Sequence, residues 1–341
     1  MSARDVQVRV FKPDGTPVGT VWPVKGVNMA WVENGPAGAT FTTPKTGMRW
    51  DDLYMGELNR VEIHHENLPY VWTGVILQPV PNGPDVNVAC MSLEWLFTKR
   101  FTEEWFQSIG TGGVIARDLY NQAIRTGRLD AGLGALDTGG TEYYQLYELK
   151  RVSEALSELA TLVGGQWWIE KRGHTHVEQA VFRFARKRGR DLSGSVLLSS
   201  EIVDTPDYQR TAEPMATALY VLGGGIGSSL SERIWFYRPN KDAKRRYNLL
   251  EEVVEYPDVI DLALLDKLTN TELERRGKPT KTLGLNIDNR RDTWGRFWMG
   301  DTVRAFLSGV EKAGLDALVK IRGIQVDVDN EKMGLVVDIV R

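Results

Sequence analysis

Two stretches near opposite ends of the sequence carry the same strand rhythm. GELNRVEIHHENLPYVWTGVIL (Gly56–Leu77) opens with a glycine and a carboxylate and alternates through Val61-Glu62-Ile63. It then crosses a polar connection and returns through Gly74-Val75-Ile76. GDTVRAFLSGVEKAGLDALVKIRGIQV (Gly300–Val326) opens likewise, runs through Val303-Arg304-Ala305-Phe306 and returns through Gly323-Ile324-Gln325. Alternation at period two marks a half-buried strand, so each stretch reads as a β-meander. Similar meanders at both ends, with helical material between, predict a chain that builds one barrel-like unit twice. Neither meander carries catalytic residues, a design that suits an assembly part.

The chain of 341 residues is long enough for two or three domains. Residues 1–91 read as short strands, among them 6–11, 24–32, 39–44, 59–65, 70–79 and 86–91, separated by turns rich in Gly, Pro, Asn and Asp. Even spacing of that kind predicts a small barrel or sandwich. The period changes over 92–199. Ser92 is placed to cap a helix in LEWLFTKRF, and residues 113–127 set Val114, Ile115, Leu119 and Ile124 along one stripe before Gly127. The clearest helix lies within 147–165, with Ser153 as its cap and Gly164-Gly165 at its end. A strand pair, 166–172 and 175–187, follows, and 128–144 reads as a glycine-rich loop. From 200 to 341 the strands return, with a helix over 259–277 and a helical insertion around 228–279. The expected fold class is therefore α+β, mainly β, with a first β unit at 1–91, an α/β unit at 92–199 and a second β unit at 200–341.

Composition narrows the function. A net charge of −3 gives no bulk attraction to nucleic acid or acidic membranes. The single cysteine, Cys90, rules out an internal disulfide framework and reads as a small buried hydrophobe. MSARDVQVRV lacks the layout of a signal peptide, and no apolar run approaches the ~18–20 residues of a membrane helix. Synthesis in the cytosol without an export signal is the expectation.

No constellation for catalysis, cofactor or metal emerges, so no site residues and no cofactors are assigned. His174 and His176 alternate on one strand face but lack a third ligand at a recognisable spacing, and the adjacent His64 and His65 point to opposite faces. Gly223–Gly227 follows a strand without a Lys-Ser/Thr pair or a helix after it and reads as a flexible turn. The carboxylate pairs Glu103-Glu104 and Asp51-Asp52 read as surface acids. The basic runs Ala185–Arg190 and Lys241–Tyr247 read as solvated faces or subunit contacts, with a pore that screens passing phosphates as the sharper alternative. Eleven tryptophans, including Trp167-Trp168, Trp294 and Trp298, suit either core packing or interface anchors.

The order of parts resembles a known family. GVILQP leads into SLEWLFTKR and IARDLYNQA; after a loop come VSEALSELATLVGGQWWIEKRG and a closing GDTVRA…IRGIQVDVDNEKMGLVVDIV. This layout is similar to that of the baseplate hub, or tail-tip minor tail, proteins of long-tailed bacteriophages, whose N-terminal region shares the fold of the contractile-tail hub. The resemblance implies two tube-type β-barrel domains per subunit and a homotrimeric ring that adapts a sixfold tail tube to threefold tip parts. It implies a structural, non-enzymatic virion protein at the tail tip, assembled in the host cytoplasm, that closes or gates the DNA channel. Its implied partners are the distal tail or tail tube protein, the tape measure protein and tip fibre or receptor-binding proteins, with transient contact to passing DNA and no membrane insertion. The hub of a phage-derived injection particle or gene transfer agent is a neighbouring reading. A tail-tip peptidoglycan hydrolase and a carbohydrate-binding β protein are the alternatives from other classes.

Overall fold

The structure is a computed structural model that describes residues 6–45, 55–125, 127–173, 179–204, 206–225, 233–257, 259–288, 293–310 and 314–340. It is mainly β with few helices. Among the described residues the chain opens with seven strands: β1 (Val6–Phe11), β2 (Pro17–Val21), β3 (Lys25–Val32), β4 (Gly38–Pro44), β5 (Arg60–His65), β6 (Trp72–Asn82) and β7 (Asp85–Ser92). A lobe follows with α1 (Glu94–Phe97), β8 (Phe106–Gly110), α2 (Gly112–Ile124), β9 (Ala131–Leu136), β10 (Tyr143–Tyr147), α3 (Val152–Val163), β11 (Gln166–Glu170) and β12 (Ala180–Ala185). Next come β13 (Leu197–Ser199) and β14 (Asp207–Thr211). A flap is then inserted: β15 (Ala218–Gly225), β16 (Arg233–Pro239), α4 (Lys241–Tyr247), β17 (Glu251–Glu255) and α5 (Leu262–Arg276). The chain closes with β18 (Thr280–Asp288), β19 (Thr302–Leu307), β20 (Leu315–Asp327) and β21 (Lys332–Val340).

One sheet runs through both ends of the chain, in the order β14-β18-β21-β20-β3-β4-β7-β6-β5-β1-β2, with β19 beside β20 and β13 beside β19. Within it one arrangement occurs twice. The neighbours β3-β4-β7-β6-β5 and β14-β18-β21-β20-β19 are both antiparallel throughout, and each takes its strands in the same permuted chain order. The register repeats as well. Arg60 opposes Val75 as Thr302 opposes Lys320. Both long pairs bulge at the same place, between Ile76 and Gln78 in one and between Ile321 and Gly323 in the other. Leu58 N donates to Ile76 O at 2.7 Å and Ile76 N to Asn59 O at 2.9 Å; Gly300 N donates to Ile321 O at 2.8 Å and Ile321 N to Asp301 O at 3.0 Å.

These matches correct the register read from sequence. Val61 and Val303 are equivalent, as the echo implied, but Gly300-Asp301 corresponds to Leu58-Asn59 and not to Gly56-Glu57. Likewise Gly323 corresponds to Gln78, not to Gly74. Leu58 sits at φ +67° where Gly300 sits at φ +83°, so a left-handed residue is kept while its side chain is not. The strand order of the described residues runs as an open path.

Period-two burial holds both units on one core. Phe41, Val61, Ile76, Val88 and Cys90 from the first unit and Leu285, Val303, Ile321, Leu335 and Val337 from the second belong to a single apolar cluster. The lobe has its own core, built on Leu119, Leu156, Trp167 and Phe182, and the flap a small one on Leu219, Val221, Leu265 and Leu273.

Several local expectations change. Residues 128–144 are not a loop: β9 and part of β10 lie there, β9 running parallel to β12 and β10 antiparallel to β8. Helix α1 has only four residues and no side-chain cap, because Ser92 Oγ instead accepts from Ala37 N at 3.0 Å. Ser153 lies inside α3, whose cap position is Arg151. Gly164 does end that helix, at φ +67°. The run Lys241–Tyr247 is helix α4, capped by Asn240 Oδ1 accepting from Ala243 N at 3.0 Å.

Candidate functional site

The two units meet where strand β20 changes partner. Its first half pairs with β19 and, beyond the bulge, Gly323–Asp327 pairs with Val32–Asn28 of β3. Bulged Arg322 stands at the change. Its guanidinium donates to both Glu33 oxygens at 2.5 and 2.6 Å and to Asp338 Oδ2 at 2.8 Å. Burial pulls the Arg322 pKa down, but Glu33 and Asp338 outweigh it and hold the pKa above its usual value. Lys320 nearby is pushed down, first by burial and then by the Arg322 charge. Residues 33 and 322 are far apart in sequence, so no local pattern announces this bridge.

The core side of the junction is aromatic. Trp31 meets Trp298 edge-on at 5.0 Å, and Tyr70 lies 5.4 Å from the same indole. Asp301, 2% exposed, accepts from Trp298 N at 2.8 Å and from Arg190 N at 2.7 Å. The opposite face of the sheet is different. Across its centre stand Asn286, Gly334, Gln325, Ala30, Asn28, Thr40, Thr42, Asn87, Ala89 and Gln78, small or neutral polar residues brought side by side by the register. Thr42 Oγ1 donates to Asn87 Oδ1 at 3.0 Å. Charge appears toward both ends of these strands, at one in Lys25 paired with Asp85 at 2.7 Å and in Asp327 and Lys332, at the other in Lys320, Asp338 and the Arg322–Glu33 pair. Such a face forms hydrogen bonds but offers no patch of one sign to hold phosphates.

A groove of ≈ 790 Å³ separates the lobe from the sheet, lined in part by Arg172, Arg183, Arg188, Arg190, Glu170 and Asp301. Most of its cations already have partners. Arg183 binds Glu170, Arg190 lies 3.3 Å from Asp301, and Arg188 stacks over Trp168 at 4.4 Å. Beside it Arg186 binds Asp137 at 2.9 Å, a contact that lowers the Asp137 pKa. Within the basic run Ala185–Arg190, Arg186 and Arg188 thus hold partners inside the lobe and Arg190 ties the lobe to the sheet. In the lobe Glu94 is buried and accepts from Ile169 N at 2.8 Å; burial raises its pKa against the pull of that bond.

The remaining sequence candidates do not converge. His65 is buried, accepts from Asn67 N at 3.2 Å and meets Trp294 edge-on at 5.2 Å, while His64 points the other way. His174, His176, Asp51 and Asp52 lie outside the described residues, as do Ile226 and Gly227. Gly223–Gly225 are strand residues, not a flexible turn. Gly224 N donates to Val259 O at 2.7 Å, and a Cβ on Gly224 would sit 2.3 Å from Pro257 O. Close chain crossing is therefore what those glycines permit. Glu103 pairs with Arg125. Cys90 is buried, and burial pushes its thiol pKa up.

Trp167, Trp168, Trp294 and Trp298 are all buried within the chain, which decides for core packing over interface anchors. Exposed aromatics lie elsewhere. Tyr220, Trp235 and Tyr237 occupy the outer face of the flap sheet, whose other face covers α5. Among the described residues no group of three or more His, Cys, Asp or Glu could hold a metal ion, and no helix is long and apolar enough to cross a membrane.

No protein-family model matches the sequence, and a search of curated proteins returns no match. Solved structures do match. The tail protein from Neisseria meningitidis MC58 aligns with TM-score 0.65 at 15% identity, over 98% of this chain and 96% of that one. The 43 kDa tail protein of prophage MuSo2 from Shewanella oneidensis gives TM-score 0.65 at 10% identity, over 98% of each chain. The E. coli c3393 protein gives TM-score 0.52 at 10% identity, over 94% of this chain and 74% of that one. It is a type VI secretion component described as structurally similar to the T4 bacteriophage tail proteins gp27 and gp5. Over nearly its whole length, then, this chain has the fold of phage tail proteins.

Proposed function

We propose that this protein is a structural component of a phage tail or of a related injection particle, acting as the hub at the distal end of the tube. In this reading residues 1–91 and 200–341 supply two tube-type β-barrel domains, and 92–199 decorates their outside. Three chains then make a ring of six similar units that joins a sixfold tube to threefold tip parts. The observation that carries it is the doubled five-stranded arrangement, with its shared register and bulge, on one continuous sheet. Two equivalent units in one chain are what a threefold object needs to present sixfold contacts. The fold likeness to tail proteins supports the same reading.

The neutral face across the centre of the sheet fits a channel wall. A polyanion passes such a surface without being gripped, whereas a wall of Lys and Arg would hold it through counterion release. The reading is non-enzymatic. Its partners are the tube or distal tail protein, the tape measure protein and tip proteins, and its place is the tail tip of a particle assembled in the host cytoplasm. The test is sedimentation and electron microscopy of the full chain, alone and co-expressed with its neighbouring tail proteins. Threefold rings are expected; a strict monomer under both conditions overturns the proposal. A zymogram on peptidoglycan is expected to stay blank, and a clearing zone would move the assignment to a wall hydrolase.

A further inference from the structure

The groove between the lobe and the sheet holds more cations than its carboxylates can pair. Five cations line it, against three carboxylates, Asp137, Glu170 and Asp301. Each carboxylate is already engaged. Asp137 takes Arg186, and Asp301 takes Arg190. Glu170 uses both oxygens: Oε2 accepts from Trp168 Nε1 at 2.9 Å, while Oε1 takes Arg183 and, at 3.5 Å, Arg172. Lys187 is exposed to solvent, and Arg188 is left over. Its guanidinium lies over the Trp168 ring at 4.4 Å, and among the described residues its N–H groups meet no acceptor and no ion-pair partner. Arg188 is half-buried, lining both the groove and a cavity of ≈ 20 Å³ that it shares with Glu94. Burial outweighs the pull of Glu170 and Glu94 and sets the Arg188 pKa below its ordinary value, so the charge is under-compensated where it stands. An uncompensated cation away from water costs stability, and folds keep such departures where they bind something.

We infer that this groove binds a peptide segment of another protein and that Arg188 takes a carboxylate from it, the side chain of an aspartate or glutamate. The Trp168 ring covers one face of the guanidinium and leaves its N–H edges open, so an incoming carboxylate can meet two of them at once. Arg172, stacked over Tyr70 at 5.3 Å, stands in the same groove as a second donor. A volume of ≈ 790 Å³ takes a few residues, and Tyr70, Trp168 and Trp298 give them aromatic wall to lie against. The mixed signs select against a polyanion. A nucleic acid would bring phosphates onto Asp137, Glu170 and Asp301 as well as onto the arginines, whereas a polypeptide offers one acid among neutral neighbours.

The site stands on the groove and not on ring formation, so its failure leaves the hub reading untouched. The probe is a capped alanine pentapeptide with one central glutamate, titrated into the full chain and followed by ligand-observed NMR. Saturable binding is expected, weaker by on the order of tenfold or more when glutamine replaces the glutamate, and likewise in Arg188→Gln. Arg188→Lys keeps the charge but loses the fork and is expected to fall between. Lys244→Gln, the same charge change on the flap, is expected to bind like the parent. Arg188→Gln breaks no ion pair and should shift the unfolding midpoint little. Should it fold poorly, Arg172→Gln, whose side chain is 69% exposed, takes its place and is expected to weaken binding severalfold. Equal binding of the glutamine peptide, or no saturable binding of either, overturns the inference. Inorganic phosphate binding as tightly as the peptide, with the same dependence on Arg188, overturns the choice of a peptide carboxylate.

Discussion

The first and second β units share an arrangement and almost nothing else. Their strand order, register, bulge and left-handed turn superimpose, yet equivalent positions hold Phe41 and Leu285, Thr43 and Ile287, or Asn87 and Gly334. What is kept is the alternation. Core-facing Ala39, Phe41, Val86, Val88 and Cys90 answer to Leu283, Leu285, Met333, Leu335 and Val337, all apolar and differing in size. The connections differ most. Where β3 reaches β4 through a turn at residues 33–37, β14 reaches β18 only after the flap. That turn serves the lobe: Asn34, at φ +57°, accepts from Trp167 N at 2.8 Å through its side chain. A doubled scaffold can thus carry different outer parts, because the strands need only a period and the turns are free to vary.

The strongest way to break the comparison is through the shared core. Phe41→Ala and Leu285→Ala remove equivalent side chains, and each is expected to cost about 3–5 and 2–5 kcal/mol respectively. With both units on one core, either change should shift the same cooperative transition in thermal unfolding. Two separate transitions, each answering to one substitution, would make the units independent.

The left-handed turn gives a sharper contrast. Gly300→Ala forces a Cβ to within 2.7 Å of Arg188 O and is expected to destabilise by about 1–3 kcal/mol. Leu58→Gly, at the equivalent site, relieves backbone strain and should be neutral or stabilising by up to about 1 kcal/mol. Denaturant midpoints of the two variants should therefore move in opposite directions or only the first should move; equal losses would contradict the equivalence.

Arg322→Ala tests what joins the units. Removing it leaves Glu33 and Asp338 without their guanidinium, and because Arg322 is partly open to solvent the expected loss is about 1–2 kcal/mol. A double-mutant cycle with Glu33→Gln should recover a coupling that weakens with salt. No coupling would reduce the junction to backbone pairing alone.

The smallest effect lies in the lobe. The Arg186 hydrogen bond, and after it Gly139 N, hold the Asp137 pKa below the ordinary carboxylate value. Its contribution to stability is therefore present above that value and lost as pH falls through the lowered one. Asp137→Asn should flatten that acidic stretch of the stability profile slightly and leave neutral pH almost untouched, as unfolding midpoints across the range would record.

Much of this arrangement was legible in the residues. Strict alternation in VQVRVF, ATFTTP and VNVACM specified strands and their inward faces, since a one-residue shift would turn every apolar side chain to water. Helical spacing in VSEALSELATLV and the αL glycine after it specified α3. Weakly patterned strands escaped. AGLGAL lacks β-branched residues and becomes β9 only because β12 lies beside it, and DYQRT becomes β14 only because β18 does. The Leu58–Gly300 equivalence was hidden for a different reason, because a backbone angle is shared by residues that look unlike.

The sequence alone therefore determined that the chain would be mainly β, that its two ends would repeat a meander and that its helices would gather between them, because period and turn chemistry are local properties. Only the tertiary structure decided that the two ends share a sheet and a core, that Arg322 reaches Glu33 and that four prominent tryptophans turn inward. Those outcomes depend on which strands meet across hundreds of residues, and that choice is made by the fit of whole faces.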